Sequence, residues 1–371
     1  MPPRVAIVPP VPVPYREPLF RALAQRGEVD PHVIYLSGSQ AGWDQPADWF
    51  AAADGYSSEL LSAWQRSRAG RAPVTVARGL GPALSRSRAE CVVSWEFGPA
   101  TLRALAWGRR RRVPVLVFSE LTGWSDAALG DLQRRVHRAL APRVDGFVVA
   151  SSQGAGRLRA MGVQADRIEV ALQSADVAAL RAARPPRAGG RPVRVLAVAR
   201  LVPDKNLDAL LDAFAGAGFA EGEAELELRG SGSLEPELRA RAERLGAAVT
   251  FPGPVPPGEL GAVYAGADAL ALVSTYEPFG VTLREGAAAG LPLIASERAG
   301  AVGDVAVDGE NALVIAPDDR AQIVAALRRV VREPDLRERL AAGSLAVTAR
   351  HPPEADAEAW ERAILRATGV R

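Results

Sequence analysis

Short β-branched runs alternate with longer helical stretches along nearly the whole of this 371-residue chain, and that alternation excludes most folds at once. RVAIV at 4–8 reads as a buried strand, and YREPLFRALAQRG (15–27) as a helix closed by Gly27. PHVIYLS (31–37), AECVVSW (89–95), VPVLVFSE (113–120) and DGFVVASS (145–152) read as further strands, with PATLRALAWGRRRR and DLQRRVHRALAPR as helices between them. Strands joined by helical crossovers imply βαβ units and a parallel sheet. The pattern pauses at ALRAARPPRAGGRP (179–192), where prolines, glycines and arginines read as a linker, and then restarts. VRVLAVAR, AELELRG, AVTFPG, DALALVS, LIAS and ALVIA are the strands of the second half. NLDALLDAFAGAG, LEPELRARAERLG, ELGAVYAGA and GVTLREGAAAGLP are helices, and DRAQIVAALRRVVREPDLRERLAAG is helical throughout. The expected organisation is two doubly wound α/β domains, 1–178 and 193–353, joined by 179–192. The helix within 354–371 is a candidate to return to the first domain.

Composition narrows the function. Hydrophobic residues make up 48% and charged residues 24%, as in a soluble globular protein with a large core. Basic and acidic residues number 45 and 43, without the concentrated basic excess of a nucleic-acid binder. The single cysteine, Cys91, excludes an intrachain disulfide and reads as a small buried hydrophobe. His32, His137 and His351 are too scattered for a zinc cluster. No run has the length of a membrane-spanning helix, and the proline-rich start is unlike a signal peptide, so a cytoplasmic location is expected.

Residues with chemistry gather where strands end. Arg200 follows the strand VRVLAVAR, and Lys205 stands just before a helix for which Asn206 is the candidate N-cap. Two cations beside a helix N-terminus make an anion site; the competing reading is two ordinary solvated charges. Gly230 and Gly232 lie between a strand and a helix, and Gly253 in a comparable loop, where glycine lets backbone approach a ligand. STYEPFGVTLREGAAAGLP (274–292) places Glu277 in a loop and Glu285 one turn into a helix of small residues. A carboxylate so close to a tightly packed helix start needs hydrogen-bond donors, and sugar hydroxyls are a natural set.

Arg200 with Lys205, then Glu277–Pro278–Phe279–Gly280 with Glu285, then GLPLIASERAGAVGDVAVDGENALVI, resemble the carboxyl half of glycosyltransferase family 4. The similarity runs in detail through about 193–345 and more loosely through PPVPVPYREPLFRALAQRG. The resemblance implies the GT-B fold, two Rossmann-like domains facing a central cleft, and retaining transfer of a sugar from a UDP- or GDP-linked donor. No metal and no separate cofactor are expected. Arg200 and Lys205 would hold the diphosphate, Glu285 the ribose hydroxyls, and Glu277 with the amides of Phe279 and Gly280 the transferred sugar. The amides of Val281 and Thr282 would add to the phosphate site, and the loop near Phe251–Val255 would receive the base. Retention by a same-face, oxocarbenium-like displacement is favoured over a double displacement through a carboxylate.

The chain departs from the family pattern in its first loop. PPVPVPYRE carries four prolines and no glycine pair, so fewer amides are offered there. Tyr15 and Arg16 become candidates for acceptor or phosphate contact, with packing and a solvated charge as the alternative. Glu120 and Trp124 in SELTGWSD, and Glu96 in SWEFGP, are the other acceptor candidates, with salt-bridging, capping or burial as alternatives. The run WGRRRR (107–112) is a candidate for peripheral contact with an anionic inner membrane face, or a helix terminus stabilised by cations. The acceptor is expected to be a hydroxyl of a small molecule, a glycan or a lipid-linked sugar. A nucleotide-sugar epimerase and a non-catalytic nucleotide-sugar-binding protein are the competing functions.

Overall fold

The computed structural model describes residues 1–40, 54–68, 71–175, 177–181 and 190–370. Two compact units are present, 1–174 with 353–371, and 175–352.

The first unit contains β1 (Arg4–Val8), α1 (Glu17–Arg26), β2 (Asp30–Tyr35), β3 (Ser57–Leu60), β4 (Ala63–Arg68), β5 (Arg71–Ala77), α2 (Leu80–Arg86), β6 (Cys91–Trp95) and α3 (Pro99–Arg111). It continues through β7 (Val115–Ser119), α4 (Asp131–Leu140), β8 (Gly146–Val149), α5 (Ser152–Ala160) and β9 (Ile168–Val170). Seven strands form a parallel sheet in the order β3-β2-β1-β6-β7-β8-β9, and β4 and β5 pair as a separate antiparallel hairpin. β6 and β7 are buried along their whole length, as their unbroken apolar runs require of strands covered on both faces. Gly27 closes α1 at φ 71°, the left-handed cap that glycine adopts without strain.

The second unit contains α6 (Val177–Arg181), β10 (Val193–Val198), α7 (Leu207–Gly216), β11 (Ala224–Arg229), α8 (Glu235–Leu245), β12 (Val249–Gly253) and α9 (Leu260–Ala265). It closes with β13 (Ala269–Leu272), α10 (Val281–Ala288), β14 (Leu293–Ser296), β15 (Ala312–Ile315), α11 (Arg320–Arg332) and α12 (Pro334–Arg350). Its six parallel strands run β12-β11-β10-β13-β14-β15, the dinucleotide-fold order with a switch point between β10 and β13. The segment read as one helix, 319–343, is two: Asp319 caps α11 through Gln322 N–H, and Pro334 starts α12.

The division near 178 falls instead between 174 and 175, because α6 packs on α9 and α10 of the second unit. Residues 179–181 of the expected linker are therefore helical, and 182–189 lie outside the described residues. The last helix, α13 (Pro353–Thr368), belongs to the first unit and packs on α1, β8 and β9. Its Trp360 is fully buried against Trp95 and Phe118, and its Glu361 accepts from Arg26 Nε with both oxygens, at 2.9 and 3.0 Å.

Candidate functional site

The second unit carries the denser cluster, at the switch point of its sheet. β10 delivers Arg200, and a short 3₁₀ turn, Pro203–Lys205, carries Lys205 to the head of α7. β13 delivers Ser274 and Glu277. The two loops are laced together: Thr275 N–H donates to Asp204 C=O at 3.0 Å. Lys205 Nζ lies 2.5 Å from Glu277 Oε2, and Ser274 Oγ donates to the same oxygen at 3.2 Å. Sequence spacing alone did not announce that pair, since 72 residues separate its members.

Glu285 faces elsewhere. Its Oε2 accepts from the Tyr264 hydroxyl of α9 at 2.5 Å, and both side chains are buried. Burial raises the Glu285 carboxyl above its ordinary range, and the Tyr264 hydrogen bond opposes that rise. Glu277 and Glu285 thus flank the turn with separate partners. Between them Gly280 stands at φ 97° as the residue before α10, a conformation that favours glycine. The first-turn amides of α10, which include Val281 and Thr282, have no partner within the helix. The Phe279 ring is buried, and its carbonyl accepts from Ala301 N–H at 2.8 Å.

Two expectations change in form. Asn206 does not cap α7 with its side chain. It sits in the left-handed region, φ 56°, and its Nδ2 donates to the carbonyls of Val273 and Pro317 at 3.2 and 2.9 Å. Asparagine tolerates that backbone, and here the amide ties the ends of two strands together. Gly230 and Gly232 were expected to let backbone approach a ligand, but the neighbour that demands glycine is this chain's own backbone. A Cβ on Gly230 would lie 1.8 Å from the Ala199 carbonyl oxygen, and one on Gly232 2.4 Å from that of Leu201. The 230–232 loop therefore buttresses the segment that carries Arg200. Gly253 joins it, accepting from Gly230 N–H at 3.0 Å. Phe251, in the loop expected to take the base, packs its ring 4.8 Å from the Arg239 guanidinium.

The first unit gathers the acceptor candidates at the corresponding end of its own sheet, where β1 and β6 are neighbours. Arg16 is not a solvated charge. It is buried, bonds Glu120 Oε1 at 3.1 Å and lies 4.4 Å over the Trp95 ring, while its Nε has no partner. Tyr15 lies beside it, 5.3 Å from the guanidinium. Glu120 is thus salt-bridged and partly exposed. Glu96, expected to face an acceptor, spends both oxygens internally: Oε1 accepts Glu120 N–H at 2.6 Å and Oε2 accepts Ser119 Oγ at 2.8 Å. Burial pushes its carboxyl up to about 7, and its backbone is held at φ 50°. Trp124 stands half-exposed on its loop. His137 is buried beside Phe97 with Nδ1 on Arg157 Nη2; burial, then the Arg157 charge, lowers it to about 4, so it is a neutral core imidazole.

Sequence reasoning missed Ser274 and Tyr264. Ser274 carried a usable signal, as a hydroxyl at the end of a buried strand three residues before Glu277. Tyr264 carried none, since AVYAG reads as ordinary helix. Among the described residues no three His, Cys, Asp or Glu side chains gather as a metal-ligand set, and no helix is long and apolar enough to cross a membrane.

The chain and its fold have counterparts among known proteins. The family model "Glycosyl transferases group 1" matches residues 182–344, and "Glycosyl transferase 4-like domain" matches 12–173. The chain is 32% identical over 224 residues to a glycogen synthase of Mycobacterium tuberculosis, covering 59% of this chain and 53% of that one. It is 34% identical over 202 residues to a D-inositol 3-phosphate glycosyltransferase of Acidothermus cellulolyticus, covering 50% and 45%. The chain spans about half the length of these curated relatives. In structure it resembles Anabaena Alr3699/HepE in complex with UDP and glucose, with a TM-score of 0.76 at 16% identity over 96% of this chain and 97% of that one. It also resembles the lipopolysaccharide outer core galactosyltransferase WaaB, with a TM-score of 0.72 at 16% identity over 98% and 99%. At such identities the structural likeness speaks for the fold alone. Taken with the two family models, it places the chain in the GT-B glycosyltransferases of the family-4-like, group 1 type.

Proposed function

We propose that this chain transfers a sugar, with retention, from a nucleoside-diphosphate sugar to a hydroxyl acceptor. The observation that carries the reading is the convergence of Lys205, Glu277 and Ser274 at the switch point of the second unit, beside the open first turn of α10. Arg200, Lys205 and the α10 amides would meet the charge that develops on the departing diphosphate. That supply of positive charge is the basis for proposing transfer without a metal. Glu285, anchored by Tyr264, would accept from the ribose hydroxyls, and Glu277 Oε1 from a hydroxyl of the transferred sugar. No carboxylate in this set has a separate claim to the position beneath the anomeric carbon, so a same-face displacement is preferred to a covalent glycosyl-enzyme.

UDP is the first nucleotide to test, because the Anabaena relative was crystallised with UDP and glucose. GDP remains the other candidate. Arg16, Glu120 and Trp124 of the first unit would contact the acceptor, which we propose is a small molecule, a glycan or a lipid-linked sugar. We place the reaction in the cytoplasm, with contact at the inner membrane face as one setting for a lipid-linked acceptor. The test is a thermal-shift screen across UDP, GDP and ADP, followed by transfer assays with the matching sugars in EDTA. Stabilisation by one nucleotide and transfer in the chelator are expected; a strict need for Mg²⁺ would refute the metal-free mechanism. Net conversion of one nucleotide sugar into another, with no acceptor added, would identify an epimerase instead.

A further inference from the structure

We propose that the Glu277–Lys205 ion pair discriminates between the two ligands the donor site meets in every turnover, favouring the intact nucleotide sugar over the nucleoside diphosphate left after transfer. This inference rests on the donor site proposed above.

The geometry divides the Glu277 carboxylate in two. Oε2 is committed to Lys205 Nζ at 2.5 Å and Ser274 Oγ at 3.2 Å. No described protein group donates to Oε1. The Lys205 and Glu277 side chains are 14% and 12% exposed, so their charges are felt with little screening by solvent. The main chain that carries both side chains is also tied down. Glu277 C=O accepts from Gly300 N–H at 3.1 Å, Lys205 N–H donates to Val202 C=O at 3.0 Å, and the Thr275–Asp204 bond joins the two loops. These bonds hold the backbone of both residues, and the Lys205 and Ser274 contacts hold the Glu277 side chain.

The consequence is electrostatic. A fixed carboxylate cancels part of the attraction that Lys205 exerts on a diphosphate. The cancellation weighs more on a free nucleoside diphosphate, whose terminal phosphate bears an extra negative charge. In the nucleotide sugar that phosphate is esterified, and the sugar brings hydroxyls that can donate to Oε1 and offset the penalty. The same side chain therefore opposes the product and recognises the donor, which is specificity achieved by a repulsive element as well as an attractive one.

Isothermal titration of the full chain with UDP and UDP-glucose, and with the GDP and ADP pairs, tests this. Glu277→Gln removes the charge and keeps the shape. It should tighten UDP about tenfold, which is about 1.4 kcal/mol, and weaken UDP-glucose at least threefold. Glu277→Asp keeps the charge and should leave UDP affinity within twofold of wild type. In a Lys205→Met background the carboxylate repels the phosphate without compensation, so the gain from Glu277→Gln should persist. Glu277→Ala removes the same charge and serves if the glutamine variant loses the wild-type circular dichroism spectrum. UDP binding that is unchanged or weaker in both uncharged variants, with wild type still binding UDP, would overturn the inference and leave the donor site standing. Wild type that binds none of the three nucleoside diphosphates would overturn the donor site itself.

Discussion

The Tyr264 hydroxyl donates to Glu285 Oε2 at 2.5 Å, joining α9 to α10 in the interior of the second unit. The bond opposes the burial that raises the Glu285 carboxyl, so Tyr264 keeps that group nearer to its charged form. Tyr264→Phe should let the carboxyl rise further. If Glu285 accepts from donor hydroxyls as a carboxylate, the acid limb of kcat/KM against pH moves to higher pH by at least about half a unit, with a rise in donor KM. An acid limb that stays in place in the phenylalanine variant would separate Glu285 from donor recognition.

Lys205→Ala should lower kcat/KM at least about 100-fold and weaken nucleoside-diphosphate binding, because the group that meets leaving-group charge is gone. Glu285→Ala should weaken the same binding. Steady-state kinetics with calorimetry checks both. Full activity in the two variants together would show the site to be misassigned.

Glu96 titrates from about 4.5 when unfolded to about 7 in the folded chain. A folded carboxyl with a raised value binds its proton more tightly than the unfolded chain does. Its stabilisation is complete below about pH 4.5 and is lost as pH rises through 7. Glu96→Gln cannot ionise. Between pH 4.5 and 8 wild type should therefore lose about 2 to 3 kcal/mol relative to that variant, measured by urea unfolding across the range. A difference independent of pH would mean Glu96 ionises normally.

Gly230→Ala forces a methyl to within 1.8 Å of the Ala199 carbonyl oxygen, in a backbone conformation with φ 142°. The β10 end must shift, and Arg200 with it. A loss of about 3 kcal/mol or more in stability and weaker nucleotide binding are expected together. Weaker binding at unchanged melting temperature would point to a direct ligand contact at Gly230 instead.

Much of this was legible in the sequence because a doubly wound sheet writes itself as alternation. Strands buried on both faces are continuous apolar runs, and VRVLAV, ALAL and LIAS lie within a few residues of where they were read. Glu277 and Glu285 could be placed on their loop and helix because a buried strand, a turn and a small-residue helix flank them. The edge of the first unit was not legible. β3 is four residues long and mostly exposed, and the β4–β5 hairpin bears arginines and exposes Trp64 and Val74, so neither reads as a buried apolar run. Arg16 shows the other limit. From PPVPVPYRE it reads as a charge near solvent, and only the fold brings Glu120 and Trp95 around it from strands about 80 and 104 residues away. Asn206 is a third case, since a residue that favours caps was used for its tolerance of left-handed backbone.

The placement of α13 has a bearing on how the molecule is made. The first unit is discontinuous: its sheet is complete by Val170, yet the tryptophan that covers Trp95 and Phe118 is Trp360. During synthesis the second unit has all of its strands and helices once Arg350 has emerged, while the older half still exposes an aromatic surface. The first unit is therefore completed only after the second has been made, and removal of residues 352–371 would leave the first unit, not the second, open to proteolysis.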